Sequence, residues 1–275
     1  MSIFWTRRTL MVATLSSGVV ASLRANASPV PGQLDTDLDL GTEPETNQLD
    51  SDGRASSKFT EEPNHALVHL RLRELLSSVI GQPKEQRVAL AESYLEKVDP
   101  LDFSYVLAES AAYGVIVRGK AIRDVLRAGY HRSSREGLNF ALSEYPDSPW
   151  TNMLNASWHF EVIRRSTIGA TLMGASENKG EAFLNDAFEI SFGDPGLYLA
   201  ASISLLSDPN RKSFERAKGL IEEANLQFEE LSQFGLVSYL PDEYLMRIDE
   251  HTTQLGQIIK DENLERAQEY VLEIF

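Results

Sequence analysis

The chain has no cysteine, and acidic side chains outnumber basic ones, 41 to 26, among its 275 residues. The absence of cysteine excludes disulfides, thiolate nucleophiles, zinc–thiolate sites and a lipid-modified cysteine. The formal net charge of −15 argues against nucleic acid as a partner, because such binding depends on Lys and Arg neutralising phosphates. The same charge is compatible with basic protein partners, cations or simple solubility.

Motifs of catalysis and of metal or nucleotide binding are also missing. Neither the GxSxG motif of serine hydrolases nor the GxxxxGK[ST] order of phosphate-binding loops occurs. His65 and His69 stand four residues apart, but residues 66–68 lack the glutamate of a zinc-protease helix. We therefore expect a non-enzymatic protein that needs no cofactor and no metal.

The N-terminal segment 1–27 has the three parts of a secretory signal peptide. Arg7-Arg8 forms a positive region, residues 10–23 are apolar, and residues 25–27 are a small-residue cleavage site. The pattern predicts cleavage at the end of the segment, export to the periplasm and no membrane span in the mature chain. The paired arginines suit a twin-arginine signal as well as a Sec signal, so both export routes stay open.

Residues 28–63 form an acidic segment that also contains proline and glycine. Nine acidic side chains stand among few apolar ones, so burial of apolar surface cannot offset the entropy cost of ordering this stretch. The bidentate glutamate and flanking helices of an EF-hand calcium loop are missing. The sequence therefore predicts a disordered linker.

From residue 64 onward, apolar residues recur at three- and four-residue spacing, which predicts an all-α domain over 64–275. Short links between helices, such as residues 193–195, make successive helices antiparallel neighbours. The predicted helices are roughly 64–80, 84–98, 102–128, 133–145, 149–172, 178–192, 195–206, 211–232 and 241–273.

Several segments of this domain have similar sequences. Aligning Ala141, Ala187 and Ala224 gives offsets of 46 and 37 residues, and a fainter copy surrounds Ala91. In each copy a small residue stands where two helices must approach closely, with bulky apolar residues a turn away. This pattern predicts degenerate repeats of antiparallel helix hairpins, arranged as an α-solenoid.

Residues 149–180 carry a family resemblance. Pro149-Trp150, the segment WHFEVIRR at 158–165, Gly169 and the segment GASENKG at 174–180 resemble exported bacterial tetratricopeptide-like proteins of unassigned function. More distantly, the arrangement is similar to the helical T-component of tripartite periplasmic transporters. The resemblance implies an α-solenoid that binds a protein or a solute, and it implies no catalytic residue. The copies are longer than the tetratricopeptide consensus of about 34 residues.

Aromatic and charged residues of the predicted helix 149–172 are the candidate binding residues. Trp158, Glu161 and Arg165 share one helix face and could hold an anionic or aromatic ligand. Alternatively, Trp158 belongs to the core, and Arg165 pairs with Glu161 at its rim. For a solute, the sequence predicts a pocket between helices lined by Trp150, Trp158, Arg165 and Tyr198.

Two functions follow from these patterns. The leading hypothesis is an exported, non-enzymatic helical-repeat protein that binds a protein or peptide partner as a scaffold or adaptor. The alternative is a periplasmic solute-binding or transporter-associated subunit, whose partner is a small molecule.

Overall fold

The computed structural model describes residues 63–99, 102–190, 193–207, 211–233 and 240–274, and every regular element within these ranges is helical. The predicted all-α class is thereby confirmed. The predicted signal peptide and nearly all of the predicted linker lie outside the described residues. The helices are α1 (Pro63–Val79), α2 (Lys84–Lys97), a 3-10 helix (Phe103–Tyr105), α3 (Val106–Gly119), α4 (Ile122–Ala128), α5 (Tyr130–Glu144), α6 (Pro149–Arg165), α7 (Thr167–Met173), α8 (Glu177–Glu189), α9 (Pro195–Leu206), α10 (Arg211–Gln233), α11 (Asp242–Lys260) and α12 (Leu264–Ile274).

The predicted helices differ from the observed ones mainly where one prediction covers several elements; the predicted helix 102–128 covers the 3-10 helix, α3 and α4. The predicted helix 149–172 is divided at Ser166, whose backbone is extended and whose Oγ accepts the N–H of Gly169 at 2.9 Å. The predicted helix 241–273 is divided near Glu262, which has a φ of 53°. Apolar periodicity continues across these points, so it does not reveal the local cap or turn. None of the described helices combines the length and apolar character needed to cross a membrane.

Helices pack in pairs: α3 with α5, α6 with α8, and α9 with α10. The second helix of each pair carries a buried stripe of three residues in a fixed order. A small residue comes first, an aliphatic residue follows four positions later, and an alanine follows three positions after that. A Cβ at Gly180 would lie only 2.8 Å from Cε1 of Phe160, so the small residue permits close approach. The three stripes are Ser134-Leu138-Ala141, Gly180-Leu184-Ala187 and Ala217-Ile221-Ala224.

Three later helices repeat with a constant step. Pro149, Pro195 and Pro241 stand at the starts of α6, α9 and α11, and both 195 − 149 and 241 − 195 equal 46. Proline suits these positions because the first N–H groups of a helix have no intrahelical acceptor. The side chains four positions later are all buried: Met153, Leu199 and Leu245.

The first and last described helices are joined through their neighbours. α1 packs against α2, α3 and α11, and Nε2 of His69 lies 2.7 Å from Oγ of Ser148, which caps α6. On α2, the Arg87 guanidinium donates to the carbonyl oxygen of Leu272 at 3.2 Å and to that of Glu273. These carbonyls belong to the last turn of α12, where helix geometry supplies no donor partner. The two ends of the helical domain are thereby held together.

Candidate functional site

Trp150, a predicted binding residue, lies in a buried hydrogen-bond network around Asp194, the residue that caps α9. Trp150 Nε1 and Arg73 Nη2 each donate to Oδ2 of Asp194 at 2.9 Å. Oδ1 accepts the Gly196 N–H at 3.0 Å and the Tyr244 hydroxyl at 2.8 Å. The carboxylate thus links α1, α6, α9 and α11, and its position in the core makes it a structural group.

Trp158, Glu161 and Arg165 share one face of α6, as their spacing indicates. Nε of Arg165 donates to Oε1 of Glu161 at 2.5 Å. Trp158 is buried, and the Arg135 guanidinium of α5 lies 4.3 Å from the centroid of its ring, within cation–π range. Trp150 is 15 residues before Arg165, which is about 22 Å along the helix axis.

Tyr198, the last predicted residue, lies on α9, and its ring stacks on that of Phe188 with centroids 5.0 Å apart. Of the predicted set, the structure therefore brings Glu161 and Arg165 into direct contact and places Trp158 on the same helix face. It places Trp150 at the other end of α6. Ligand binding by these five residues stays a prediction.

Three arginines surround Glu161 where α3 and α6 end, and we call these four residues the arginine cluster. Nη2 of Arg118 lies 3.3 Å from one carboxylate oxygen, and Nη2 of Arg164 lies 2.7 Å from the other. Burial alone raises the pKa of Glu161, but Arg118, Arg164 and Arg165 lower it to about 2. One ionised carboxylate therefore faces three guanidinium groups, which leaves a local charge of +2.

The two short helices beside this cluster, α4 and α7, are built alike. Each has seven residues and is followed by a glycine with positive φ, 76° at Gly129 and 69° at Gly174. The side chain four positions before that glycine is buried, Val125 in α4 and Ala170 in α7. The side chains six and two positions before it are exposed: Arg123 and Arg127 in α4, Ile168 and Leu172 in α7.

These exposed side chains follow the ends of α3 and α6 in the helical domain. Because Arg118 contacts Glu161, α3 and α6 end side by side, and α4 and α7 begin within six residues of those contacts. Ile168 is 76% exposed and Leu172 is 83% exposed, the two highest values among the exposed large apolar side chains of the described residues. We call the set Ile122, Arg123, Leu126, Arg127, Ile168 and Leu172 the basic–aliphatic surface.

A second surface lies at the opposite end of α3 and is rich in aromatic rings. Phe103, 46% exposed, stacks on Phe140 with ring centroids 5.0 Å apart. The Arg71 guanidinium of α1 lies 4.8 Å from the ring centroid of Tyr105, in the same turn as Phe103. Apolar side chains of α1 next to Arg71 are also exposed. We call the set Leu67, Leu70, Phe103, Phe140 and Tyr145 the aromatic surface.

Acidic side chains dominate the segments around the aromatic surface. The carboxylate of Glu74 pairs with Arg71 at 2.9 Å, and Asp102 accepts the N–H of Ser104 at 3.0 Å. Ser104, whose N–H donates to this carboxylate, lowers the pKa of Asp102, so it is ionised at neutral pH. The exposed acids are Glu74, Glu96, Asp99, Asp102, Glu144 and Asp147.

A cleft of about 510 Å³ lies where the loop between α1 and α2, the start of α2, α11 and α12 meet. His251 is buried at its wall, with Nδ1 2.7 Å from the hydroxyl of Tyr270, and that hydroxyl donates to Oε1 of Gln254 at 2.7 Å. Since the hydroxyl carries one proton, His251 must donate through Nδ1, and its Nε2 is an unprotonated nitrogen without a hydrogen-bond partner. Lys84 and Glu250 also line the cleft and place charged groups beside the apolar Leu272 and Ile274.

The residues of these surfaces are absent from the sequence-based candidates. In α7, the cap residue Ser166 and Gly174 enclose only seven helical positions, which is two turns. So short a helix buries one side chain and leaves most of the rest exposed, and this is the signal that could have singled out Ile168 and Leu172. Phe103 and Phe140 carry no such local signal, because only the packing of α3 on α5 brings them together.

Comparison of this chain with models of known protein families, with curated proteins and with solved structures finds no match.

Proposed function

We propose that this protein is an exported, non-enzymatic adaptor that binds a protein or peptide partner through its aromatic surface. The observation that carries the proposal is the exposure of Phe103 together with Leu67 and Leu70 beside the stacked Phe140. Aromatic side chains are enriched at protein interfaces, where they bury a large area for little loss of side-chain entropy.

The charges around the aromatic surface define the chemistry of the partner. Six exposed acids stand on the surrounding segments, whereas Arg71 and Lys97 are their basic residues. A peptide with apolar side chains flanked by Lys or Arg would match both the centre and the rim. The net charge of −15 would also raise the association rate of such a partner.

Paired helices with a recurring step support the proposal that the domain is a degenerate tetratricopeptide-like solenoid. The aligned alanines Ala141, Ala187 and Ala224 are all buried on second helices, and the starts of α6, α9 and α11 recur every 46 residues. Solenoids of this kind commonly act as binding scaffolds. Export is supported by the signal-like order of residues 1–27.

The proposal is tested by photo-crosslinking in periplasmic extract, with a photoreactive residue at Leu67. We expect a discrete crosslinked partner that competes with a basic amphipathic peptide and is lost in Phe103→Ser/Leu70→Ser. Leu226→Ser is the matched control, because Leu226 is 51% exposed on α10. A crosslink that persists in Phe103→Ser/Leu70→Ser, or no crosslink at all, would contradict a partner site at this surface.

A second candidate is solute binding in the cleft beside His251. The charged side chains of Lys84 and Glu250 line this cleft, whereas Nε2 of His251 is buried behind Gly81. A small polar molecule bound there would raise the melting temperature, because binding to the native state alone stabilises it. A thermal-shift screen of organic acids and amines in which Lys84→Gln/Glu250→Gln abolishes every shift would favour this candidate. A screen in which no compound raises the melting temperature would contradict solute binding in this cleft.

A further inference from the structure

We infer that the end of the molecule formed by α4 and α7 docks on an anionic lipid bilayer. The basic–aliphatic surface and the arginine cluster carry this inference, which goes beyond partner binding and uses none of the aromatic-surface residues. The two contributions to docking are a local positive charge and aliphatic side chains that project from the surface.

The positive charge is concentrated in two segments that meet at the arginine cluster. Residues 118–135 contain six basic and one acidic side chain, and residues 161–173 contain two basic and one acidic. Their sum is 8 − 2 = +6, and Glu92, which pairs with Lys120, leaves +5 in a chain whose total charge is −15. Each basic side chain near an anionic membrane strengthens binding about fivefold. An anionic partner matches the charge of this end of the helical domain.

The aliphatic side chains project rather than line a groove. Ile168 and Leu172 point outward from α7, a helix without any charged residue. A protein partner would need a pocket shaped to receive them, whereas the interfacial region of a bilayer accepts such side chains at any spacing. Arg123 and Arg127 occupy the matching positions on α4, so basic groups reach the headgroups beside the inserted side chains.

The aromatic surface and the basic–aliphatic surface lie at opposite ends of α3. This placement favours one orientation of the protein on the membrane. α3 runs from the 3-10 helix of the aromatic surface to Arg118, and its 14 residues span about 21 Å. Docking through α4 and α7 turns the acidic rim of the aromatic surface away from the anionic lipids, which would repel it. The bound protein would therefore present the aromatic surface to a partner.

The absence of cysteine allows a site-specific test. The full chain with Leu172→Cys is labelled with an environment-sensitive fluorophore and titrated with vesicles of phosphatidylcholine containing about 30 mol% phosphatidylglycerol. Met246→Cys is the control, since Met246 is 58% exposed on α11. Residues 1–27 are kept in every variant, so any membrane affinity of that segment is the same throughout.

We expect a blue shift from the label at residue 172 on anionic vesicles, but not on pure phosphatidylcholine, and none from the label at residue 246. Adding Arg123→Gln/Arg127→Gln should weaken vesicle binding about thirtyfold. The inference is overturned if the label at residue 172 stays in water, shifts equally on neutral vesicles, or is insensitive to the arginine substitutions. It is also overturned if only an acidic peptide shifts the label, because the surface would then bind acidic protein. None of these outcomes depends on the aromatic surface or its partner.

Discussion

Arg73 of α1 and Asp194 at the start of α9 form a buried ion pair in which Nε and Nη2 donate to the same carboxylate oxygen, at 3.0 and 2.9 Å. Both side chains are 5% exposed. Since Trp150 and Tyr244 also donate to this carboxylate, the pair stands at a point where four helices depend on one residue. Its removal is the sharpest test of how the fold is held together.

Replacing Asp194 by alanine should destabilise the protein by about 3–5 kcal/mol, because it leaves a buried charge on Arg73 without a counterion. The Trp150 N–H and the Tyr244 hydroxyl would lose their acceptor as well. The loss in free energy of unfolding is measured by urea denaturation, with circular dichroism as the signal. The double variant Arg73→Met/Asp194→Asn should lose less than the sum of its single changes, since no charge stays buried. Additive losses would contradict this role of the network.

Two glycine substitutions should change stability in opposite directions. A Cβ at Gly196 would collide with the hydroxyl end of the buried Tyr244, whereas nothing lies within 4 Å of a Cβ at Gly219 on α10. We expect Gly196→Ala to cost about 2 kcal/mol by overpacking and Gly219→Ala to stabilise by about 0.5–1 kcal/mol through helix propensity. Thermal denaturation of both variants checks the pair. Equal changes in stability in the two variants would contradict the close contact between Gly196 and Tyr244.

Stability should fall as the pH drops below about 6.5, because His159 resists protonation in the folded state. Burial first, then the charges of Arg135 and Lys179, lower the pKa of His159 to about 4. The Ser176 N–H donates to Nδ1 at 3.3 Å, which requires a neutral ring with its proton on Nε2. The unfolded chain takes up the proton at higher pH, so the linked loss reaches about 3 kcal/mol near pH 4.

Urea midpoints measured at several pH values check the effect of His159. His159→Gln should flatten the decline, while a residual slope is expected from His251, whose pKa is also lowered by burial. If His159→Gln declines as steeply as the parent protein, the folded-state proton affinity of His159 is not the cause.

Glu161→Gln should destabilise the protein by about 1–2 kcal/mol at neutral pH, because Arg118, Arg164 and Arg165 would face one another without a carboxylate. The depressed pKa of Glu161 means that its contribution is complete above about pH 4.5 and is lost as the pH falls through about 2. The difference between the variant and the parent protein, followed by urea denaturation across this pH range, should therefore vanish in strong acid.

Glu181→Gln is the matched control for Glu161→Gln. It breaks a single ion pair with Arg216 in which both side chains are about one-third exposed, and such pairs contribute less than about 1 kcal/mol. Equal losses in the two variants would show that the arginine cluster is an ordinary surface pair.

The sequence repeats identified interface positions that the structure confirms as buried, because close helix packing depends on residue size. Ala141, Ala187 and Ala224 can be identified without knowledge of the partner helix, since a small residue that recurs in an apolar stripe indicates close helix approach. The candidate binding residues were harder to judge. Trp150 fits a ligand contact and a core residue equally well, and only Asp194, 44 residues away, decides that its N–H is used inside the protein.

The sequence by itself determined the helical class, most helix positions and the small residues at helix interfaces, because these depend on periodicity over a few turns. Tertiary structure alone decided that the exposed side chains of α4 and α7 lie at the same end of the helical domain, beside the arginine cluster. It also decided the Arg73–Asp194 pair, whose members are 121 residues apart. Such features depend on contacts between distant segments, and local patterns carry no record of them.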